Sequence, residues 1–175
     1  MVKVTGAVPG SLIGRSREDS TMRLEPGAEA PFFNRRDHTG NQVTLDDYAG
    51  HRLVVFFYPK AFTPGCTTES CDFRDRHEAF YAAGYEILGV SPDPAEDLAR
   101  FRTEHSLPYP MLSDEDHSMA ESYGAWGIKK NYGREYEGII RSTIVIDADG
   151  AVEHAWYNVK ATGHAERVAG ELGAG

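Results

Sequence analysis

Residues 53–58 read LVVFFY, a continuous apolar and aromatic run closed by Pro59. A strand with one face in water alternates polar and apolar side chains, whereas a strand covered on both faces need not. The run therefore predicts a central strand buried on both sides, and a chain built around one must lay further elements over each face. Residues 85–90 and 142–147 (STIVID) read as further core strands, and residues 109–112 as a short one.

The segments between these strands carry helix signals. Thr63-Pro64-Gly65 opens a helix with Thr63 as N-cap and Pro64 at the first position. It is predicted to run to about Ala83 and to stop at Gly84. Residues 91–96 (SPDPAE) predict a second start, with Asp93 as cap, Pro94 at the first position and Glu96 completing a capping box. A short helix is expected over 117–123 and a last one over 164–172. Asp149-Gly150 turns the chain from residues 142–147 into a hairpin partner at 151–159. At the other end, 31–34 and 42–45 are expected to pair across a turn at 37–40. The plan is α/β: a central mixed sheet flanked by helices, with an N-terminal β-hairpin. Residues 24–175 are expected to form a single domain without internal repeat or linker. Residues 1–23, rich in Gly, Ser, Arg and Glu without sustained periodicity, read as a flexible N-terminal extension.

Charge narrows the function. The chain carries 27 acidic against 18 basic residues, a net −9, which argues against a nucleic-acid surface and against a polybasic membrane anchor. No apolar run approaches the ~20 residues of a membrane-spanning helix, and no coherent signal-peptide core is visible. The expected location is cytoplasmic. There are two cysteines, Cys66 and Cys71. In a reducing compartment such a pair is more often catalytic or redox-sensing than structural.

Residues 57–71 read FYPKAFTPGCTTESC. With Thr63 as cap, Cys66 falls in the first helical turn, where unpaired N–H groups and the helix dipole favour a thiolate. That effect is limited for any thiol. Lowering its pKa from ~8.5 to ~6 raises the thiolate fraction at pH 7 about thirtyfold, while the loss of basicity costs about tenfold in nucleophilicity. Efficient attack on a peroxide needs groups that hold it in line and stabilise charge on the departing oxygen. The Thr63 hydroxyl, three residues ahead of Cys66, can bond a peroxide oxygen. Arg141 is the candidate cation, although the sequence alone does not place it beside Cys66. Five residues along a helix separate two Cα atoms by roughly 8.6 Å, beyond the ~7 Å limit of a disulfide. Cys66 shares a core-facing stripe with Ser70, Phe73, His77, Phe80 and Gly84, whereas Cys71 falls with Arg74, Asp75 and Glu78 on a polar face. If the two bond, the first turns of the helix must unwind.

Pro59, Thr63 and Cys66 form the PxxxTxxC pattern of peroxiredoxins, and the longer string YPKAFTPGCTTESCDFRD resembles the bacterioferritin-comigratory-protein, or peroxiredoxin Q, branch. The similarity continues through 124–130, RSTIVID at 141–147 and NVKATGH at 158–164, and covers about residues 24–172. The resemblance implies a thioredoxin-like fold and reduction of hydrogen peroxide and organic hydroperoxides without metal or flavin. It implies that Cys66 is peroxidatic and Cys71 resolving, that Thr63 and Arg141 orient the peroxide, and that Pro59 shields the thiolate. Glu69 stands at an acidic position usual in the branch, where it bonds the helix start or active-site partners. The implied cycle passes through a Cys66 sulfenate and a Cys66–Cys71 disulfide that thioredoxin or a similar dithiol protein reduces, in a monomer. The competing readings are a thiol-disulfide oxidoreductase, which would favour C-x-x-C, and a non-enzymatic redox sensor or holdase, which would not require Thr63 and Arg141.

The remaining signals read as structural. The seven histidines show no HxxxH or HExxH spacing. Residues 114–116 (DED) read as a solvated turn and helix start. The glycine-rich stretch 124–138 lacks a phosphate-loop pattern. Trp126, Tyr132 and Tyr136 within it are expected to serve packing more than the rim of a pocket.

Overall fold

The computed structural model describes residues 23–175. The extension expected at residues 1–23 lies outside the described residues except for Arg23. Strands β1 (Asn34–Asp37), β2 (Gln42–Thr44), β3 (Arg52–Phe57), β4 (Tyr85–Ser91), β5 (Met111–Ser113), β8 (Ser142–Ile146) and β9 (Val152–Tyr157) form one sheet in the order β2-β1-β5-β4-β3-β8-β9. The β3–β4 and β4–β5 pairs are parallel, and the outer pairs are antiparallel. Strands β6 (Trp126–Asn131) and β7 (Arg134–Ile139) form a separate antiparallel hairpin. The helices are α1 (Pro64–Asp75), α2 (His77–Ala82), α3 (Ala95–Glu104), α4 (Ser118–Ser122) and α5 (His164–Glu171).

Strand β3 is the buried centre that its composition predicts. Val54 and Phe56, with Tyr58 just beyond the strand, enter a core shared with Phe73 of α1, Phe80 of α2, Leu98 and Phe101 of α3, and Val168 of α5. Leu53, Val55 and Phe57 enter a second core on the other face with Leu88, Leu112, Tyr123 and Ile144. All six side chains are inaccessible to solvent, and burial of each large apolar one contributes about 1.5–3 kcal/mol. Gly89 in β4 is dictated by this packing. A Cβ there would stand 2.9 Å from Met111 Sδ and 3.1 Å from Phe56 Cζ.

Several local expectations are corrected. The helix predicted to run from residue 64 to about Ala83 is broken at Arg76, whose backbone (φ −108°, ψ 6°) leaves the helical region and whose N–H bonds Phe73 O at 3.2 Å. The stop at Gly84 (φ +91°) is where it was expected. Asp93 does not cap α3, and no capping box with Glu96 forms, because Pro94 occupies the N-cap position itself. The Asp93 carboxylate accepts instead from the Ala61 N–H (2.8 Å) and the Ser91 hydroxyl (2.7 Å). The acidic run 114–116 is not wholly solvated. Asp114 is buried, accepts from the N–H groups of Met119 and Ala120 at the start of α4, and pairs with Arg35 at 3.1 Å. The first strand lies at 34–37 rather than 31–34, because the Asp37 carboxylate accepts from Thr39 N and Asn41 N and closes the turn there. The third core strand starts at Met111, and Tyr109 ahead of it sends its hydroxyl to Ser70 O at 2.6 Å. The glycine-rich stretch is the β6–β7 hairpin. Its two turn residues, Tyr132 (φ 52°) and Gly133 (φ 79°), both take the left-handed backbone of a two-residue hairpin turn.

Candidate active site

The site forms where β3 ends and α1 begins. Pro59 leaves the strand half-buried. The following loop is held by two devices. The Asp93 carboxylate fixes the Ala61 N–H, and Phe62 takes a left-handed backbone (φ 69°), unusual for a bulky residue. The Phe62 ring is clamped edge-on against Phe101 (5.1 Å between centroids), with the Arg100 guanidinium 5.2 Å above it. Thr63 then takes the extended N-cap conformation (φ −79°, ψ 152°), with Pro64 at the first helical position, as the sequence predicts. The Thr63 hydroxyl does not cap the helix. It donates to Lys60 O at 2.7 Å. The first backbone bond of α1 is Thr67 N to Thr63 O, so the N–H groups of Gly65 and Cys66 precede the helical ladder and no capping side chain occupies them.

Cys66 lies in this turn at 1% exposure. Arg141, just ahead of β8 and tied by its carbonyl to Val159 N (3.0 Å), reaches across to it. Its Nη2 stands 3.4 Å from Cys66 Sγ and its Nη1 2.5 Å from Glu69 Oε1. Gly65 lies beside the guanidinium, where a Cβ would stand 3.4 Å from Arg141 Nη2. The structure thus brings Pro59, Thr63, Cys66, Glu69 and Arg141 together around the start of one helix. The antiparallel β3–β8 pair does this for Arg141: Phe57 and Ser142 are paired, so the residues flanking them meet at one sheet end.

Glu69 is fully buried. One oxygen is held by Arg141, and the other, Oε2, has no hydrogen-bond partner. Burial pushes this carboxyl up to about 7, and the Arg141 charge offsets only part of that. Cys71 sits about one and a half turns on in the same helix, half-buried, and both cysteines are free thiols. Burial raises the Cys71 pKa, Asp75 and Asp72 add to the rise, and Arg74 opposes it. The helix beyond its first turn is pinned from outside by Tyr109 at Ser70 O and by Arg74, which donates to His105 O at 2.7 Å.

Among the described residues no three His, Cys, Asp or Glu side chains gather as metal ligands, and no helix is long and apolar enough to cross a membrane. Arg141 and Pro59 also form one wall of a cleft of about 400 Å³ whose other walls include Ile140, Val159 and the β6 residues Ile128 and Lys129.

The chain that carries this buried cysteine is similar to known proteins. The AhpC/TSA family profile covers residues 26–155. The chain belongs to that family, among the peroxiredoxins. A putative peroxiredoxin of Mycobacterium tuberculosis is 49% identical over 152 residues, 87% of this chain and 97% of the relative. Peroxiredoxin Bcp of Bacillus subtilis is 46% identical over 143 residues, 82% and 91% of the two chains. Among solved structures, the bacterioferritin comigratory protein of Xanthomonas campestris is similar with a TM-score of 0.79 at 38% identity, covering 86% of this chain and 98% of that one. The chain is thus a peroxidase of the oxidoreductase class on a thioredoxin-like peroxiredoxin fold.

The sequence pattern of this peroxiredoxin assigns Asp93 to a helix cap and does not single out Tyr109 or Lys129. The Ser-Pro-Asp-Pro string reads as a helix start, which hides the role of Asp93 in holding the loop before Thr63. Tyr109 and Lys129 come to the site from across tertiary distances. The one local clue to Lys129 was the Asn-Tyr-Gly turn at 131–133, which marks the hairpin that carries it.

Proposed function

We propose that this peroxiredoxin reduces hydrogen peroxide and organic hydroperoxides with Cys66 as the attacking sulfur and Cys71 as the resolving one. The observation that carries the reading is the Arg141 guanidinium, shared between Cys66 Sγ and the buried Glu69 carboxyl. A cation fixed there stabilises negative charge on the sulfur before attack and on the departing oxygen during it. Thr63 completes the cradle. Its O–H is committed to Lys60 O, so its oxygen is left to accept the proton of a bound ROO–H. Pro59 covers the approach and keeps water from the sulfur. Glu69 orients Arg141 through the 2.5 Å contact.

The thiolate attacks the terminal oxygen. The S–O bond forms as the O–O bond breaks, leaving Cys66 as sulfenic acid and an alkoxide that takes a proton and departs as the alcohol, or as water from hydrogen peroxide. The Cys71 thiol then attacks the Cys66 sulfur, and the oxygen leaves as water. In a continuous helix the two Cα atoms are about 8.6 Å apart, so this step requires α1 to unwind. A dithiol protein, thioredoxin or one like it, returns two electrons and two protons through a mixed disulfide. Such a cycle belongs in the cytoplasm, where dithiol reductants keep thiols reduced. Because both cysteines lie on one helix, a monomer suffices. The Xanthomonas relative, described for its alkyl peroxide reduction, supports organic hydroperoxides as substrates.

Stopped-flow mixing with hydrogen peroxide and with an alkyl hydroperoxide, followed by mass spectrometry, tests the reading. The expected product is a monomer two hydrogens lighter than the dithiol, formed by wild type and not by Cys66→Ser. A stable sulfenate or an intermolecular disulfide in the wild type would remove the resolving role from Cys71.

A further inference from the structure

The cleft beside Arg141 has a charge that the rest of the molecule does not explain. The chain is acidic overall, at −9, yet this cleft is lined by Arg23, Lys129, Lys130 and Arg141 and by no carboxylate. Its other walls are Pro59, Ile128, Ile140, Val159 and Asn158, apolar except for the last. At about 400 Å³ it lies within the range of small-molecule sites.

Lys129 is the informative member. Strand β6 holds it against the site, and its Cδ would lie 3.4 Å from a Cβ built on Gly138 across the hairpin. Lys130 has Glu135 at 3.6 Å, and Arg141 has Glu69. Among the described residues, no carboxylate pairs with Lys129. Burial, followed by the charge of Arg141, lowers its proton affinity, and the Cys66 sulfur raises it. An ammonium partly desolvated beside a second cation is unfavourable in the free protein. An anion entering the cleft would relieve both costs. Arg23 is held at the opening, its guanidinium 5.1 Å from the Tyr157 ring centroid.

We infer that the cleft selects organic hydroperoxides that carry a carboxylate, with Lys129 as the residue that reads the charge while Ile128 and Ile140 cover the hydrocarbon between carboxylate and peroxide. The inference rests on the assignment of Cys66 and Arg141 above. The carboxylate pairs with Lys129, with Arg23 and Lys130 adding to the attraction, and the hydroperoxide end reaches Arg141 and the sulfur. Lys129 makes no bond to the reacting oxygens and is a specificity residue.

The test compares a medium-chain carboxylic acid hydroperoxide with its methyl ester by stopped-flow oxidation at low ionic strength, with hydrogen peroxide alongside. The readout is the acid-to-ester ratio of rate constants, in which any general loss of reactivity cancels. The acid is expected to react about tenfold faster than the ester in the wild type, the lower end of what electrostatic steering gives. The advantage should shrink as salt shortens the screening length to about 10 Å at 0.1 M. In Lys129→Gln the ratio should fall toward one, and in Lys129→Arg, which keeps the charge, it should survive. Equal rates for acid and ester in a wild type that hydrogen peroxide still oxidises would overturn the selectivity alone. A ratio unchanged in Lys129→Gln would take the role from Lys129. A wild type that hydrogen peroxide leaves unoxidised would remove the underlying assignment as well.

Discussion

Cys66 and Cys71 stand five residues apart on one helix, yet their surroundings are opposed. Against Cys66 stand a guanidinium 3.4 Å from the sulfur and helix-start N–H groups ahead of the ladder. Around Cys71 the nearest charges are mixed, with Asp72 and Asp75 against Arg74, and burial holds the thiol protonated. Cys66 is closed off from solvent, whereas Cys71 is half-exposed. The difference separates two tasks. The first sulfur is prepared to attack a small molecule inside the fold, and the second to wait as a thiol until the helix opens.

The sharpest way to break that contrast is to remove what makes the Cys66 end special. Arg141→Ala takes away the guanidinium placed on the sulfur and leaves Glu69 buried without a partner. Loss of one such preorganised donor costs about 10²–10³ in rate elsewhere, and a comparable fall in the rate constant for Cys66 oxidation is expected here. Thr63→Val keeps the β-branched shape at the N-cap and removes the acceptor oxygen, and a smaller drop of about 10–10² is expected. Stopped-flow oxidation measures both, and far-UV circular dichroism checks that the helices persist. A variant Arg141→Ala that reacts at the wild-type rate would mean that the two cysteine sites do not differ in the way described.

A third variant acts on the other side of the comparison. Cys71→Ser leaves the Cys66 surroundings intact, so the first oxidation should stay within about threefold of wild type, the spread typical of context effects at a distance. Turnover with a dithiol protein should nevertheless stop, because no disulfide forms. The oxidised variant should hold a sulfenic acid that a sulfenate-specific reagent traps. In wild type, full oxidation should strip hydrogen-exchange protection from residues 64–75, as the helix geometry demands. Protection that survives in a fully oxidised sample would show that the sulfurs meet by some other route.

The two ends of α1 were also unequally legible. The Thr-Pro-Gly start and the LVVFFY strand are local patterns with one physical reading each, and the structure has both where the sequence places them. Arg141 could be nominated from the sequence but not located, because β8 reaches Cys66 only through its antiparallel pairing with β3. The break at Arg76 carries no Gly or Pro to announce it. Asp93 shows how a strong local pattern misleads: Asp-Pro reads as cap and first helical residue, but Pro94 is itself the cap, and the freed carboxylate holds Ala61 from across the loop. The β6–β7 hairpin is not legible in the sequence because its strands carry Lys and Glu instead of an apolar alternation.

The smallest expected effect is a pair of opposing proton linkages on the opening of α1. Buried Glu69 titrates at about 7 against an ordinary 4.5. Between those values the closed helix holds a proton that the opened one releases, so rising pH favours opening. His164 behaves oppositely. It is buried at the start of α5, bonded to Thr143 Oγ1 at 2.7 Å and packed edge-on against Phe73 of α1 and against Trp156. Burial, with Arg167 and Arg141 nearby, holds it down at about 4 against an ordinary 6.5. Once Phe73 moves away, the opened form takes up a proton that the closed form refuses, so rising pH through 4 to 6.5 favours closing. From about 4.5 to 6.5 the two nearly cancel, and above 6.5 only Glu69 acts. Hydrogen exchange of residues 64–75 in the reduced protein, corrected for the intrinsic pH dependence, should therefore be almost level below 6.5 and lose protection toward 7. Glu69→Gln should unmask His164, with protection climbing between pH 4 and 6.5, and His164→Asn should unmask Glu69, with protection falling between 4.5 and 7. If both variants trace the wild-type profile, neither group is coupled to the helix, and the attacking and waiting ends of α1 open independently of the proton balance at the site.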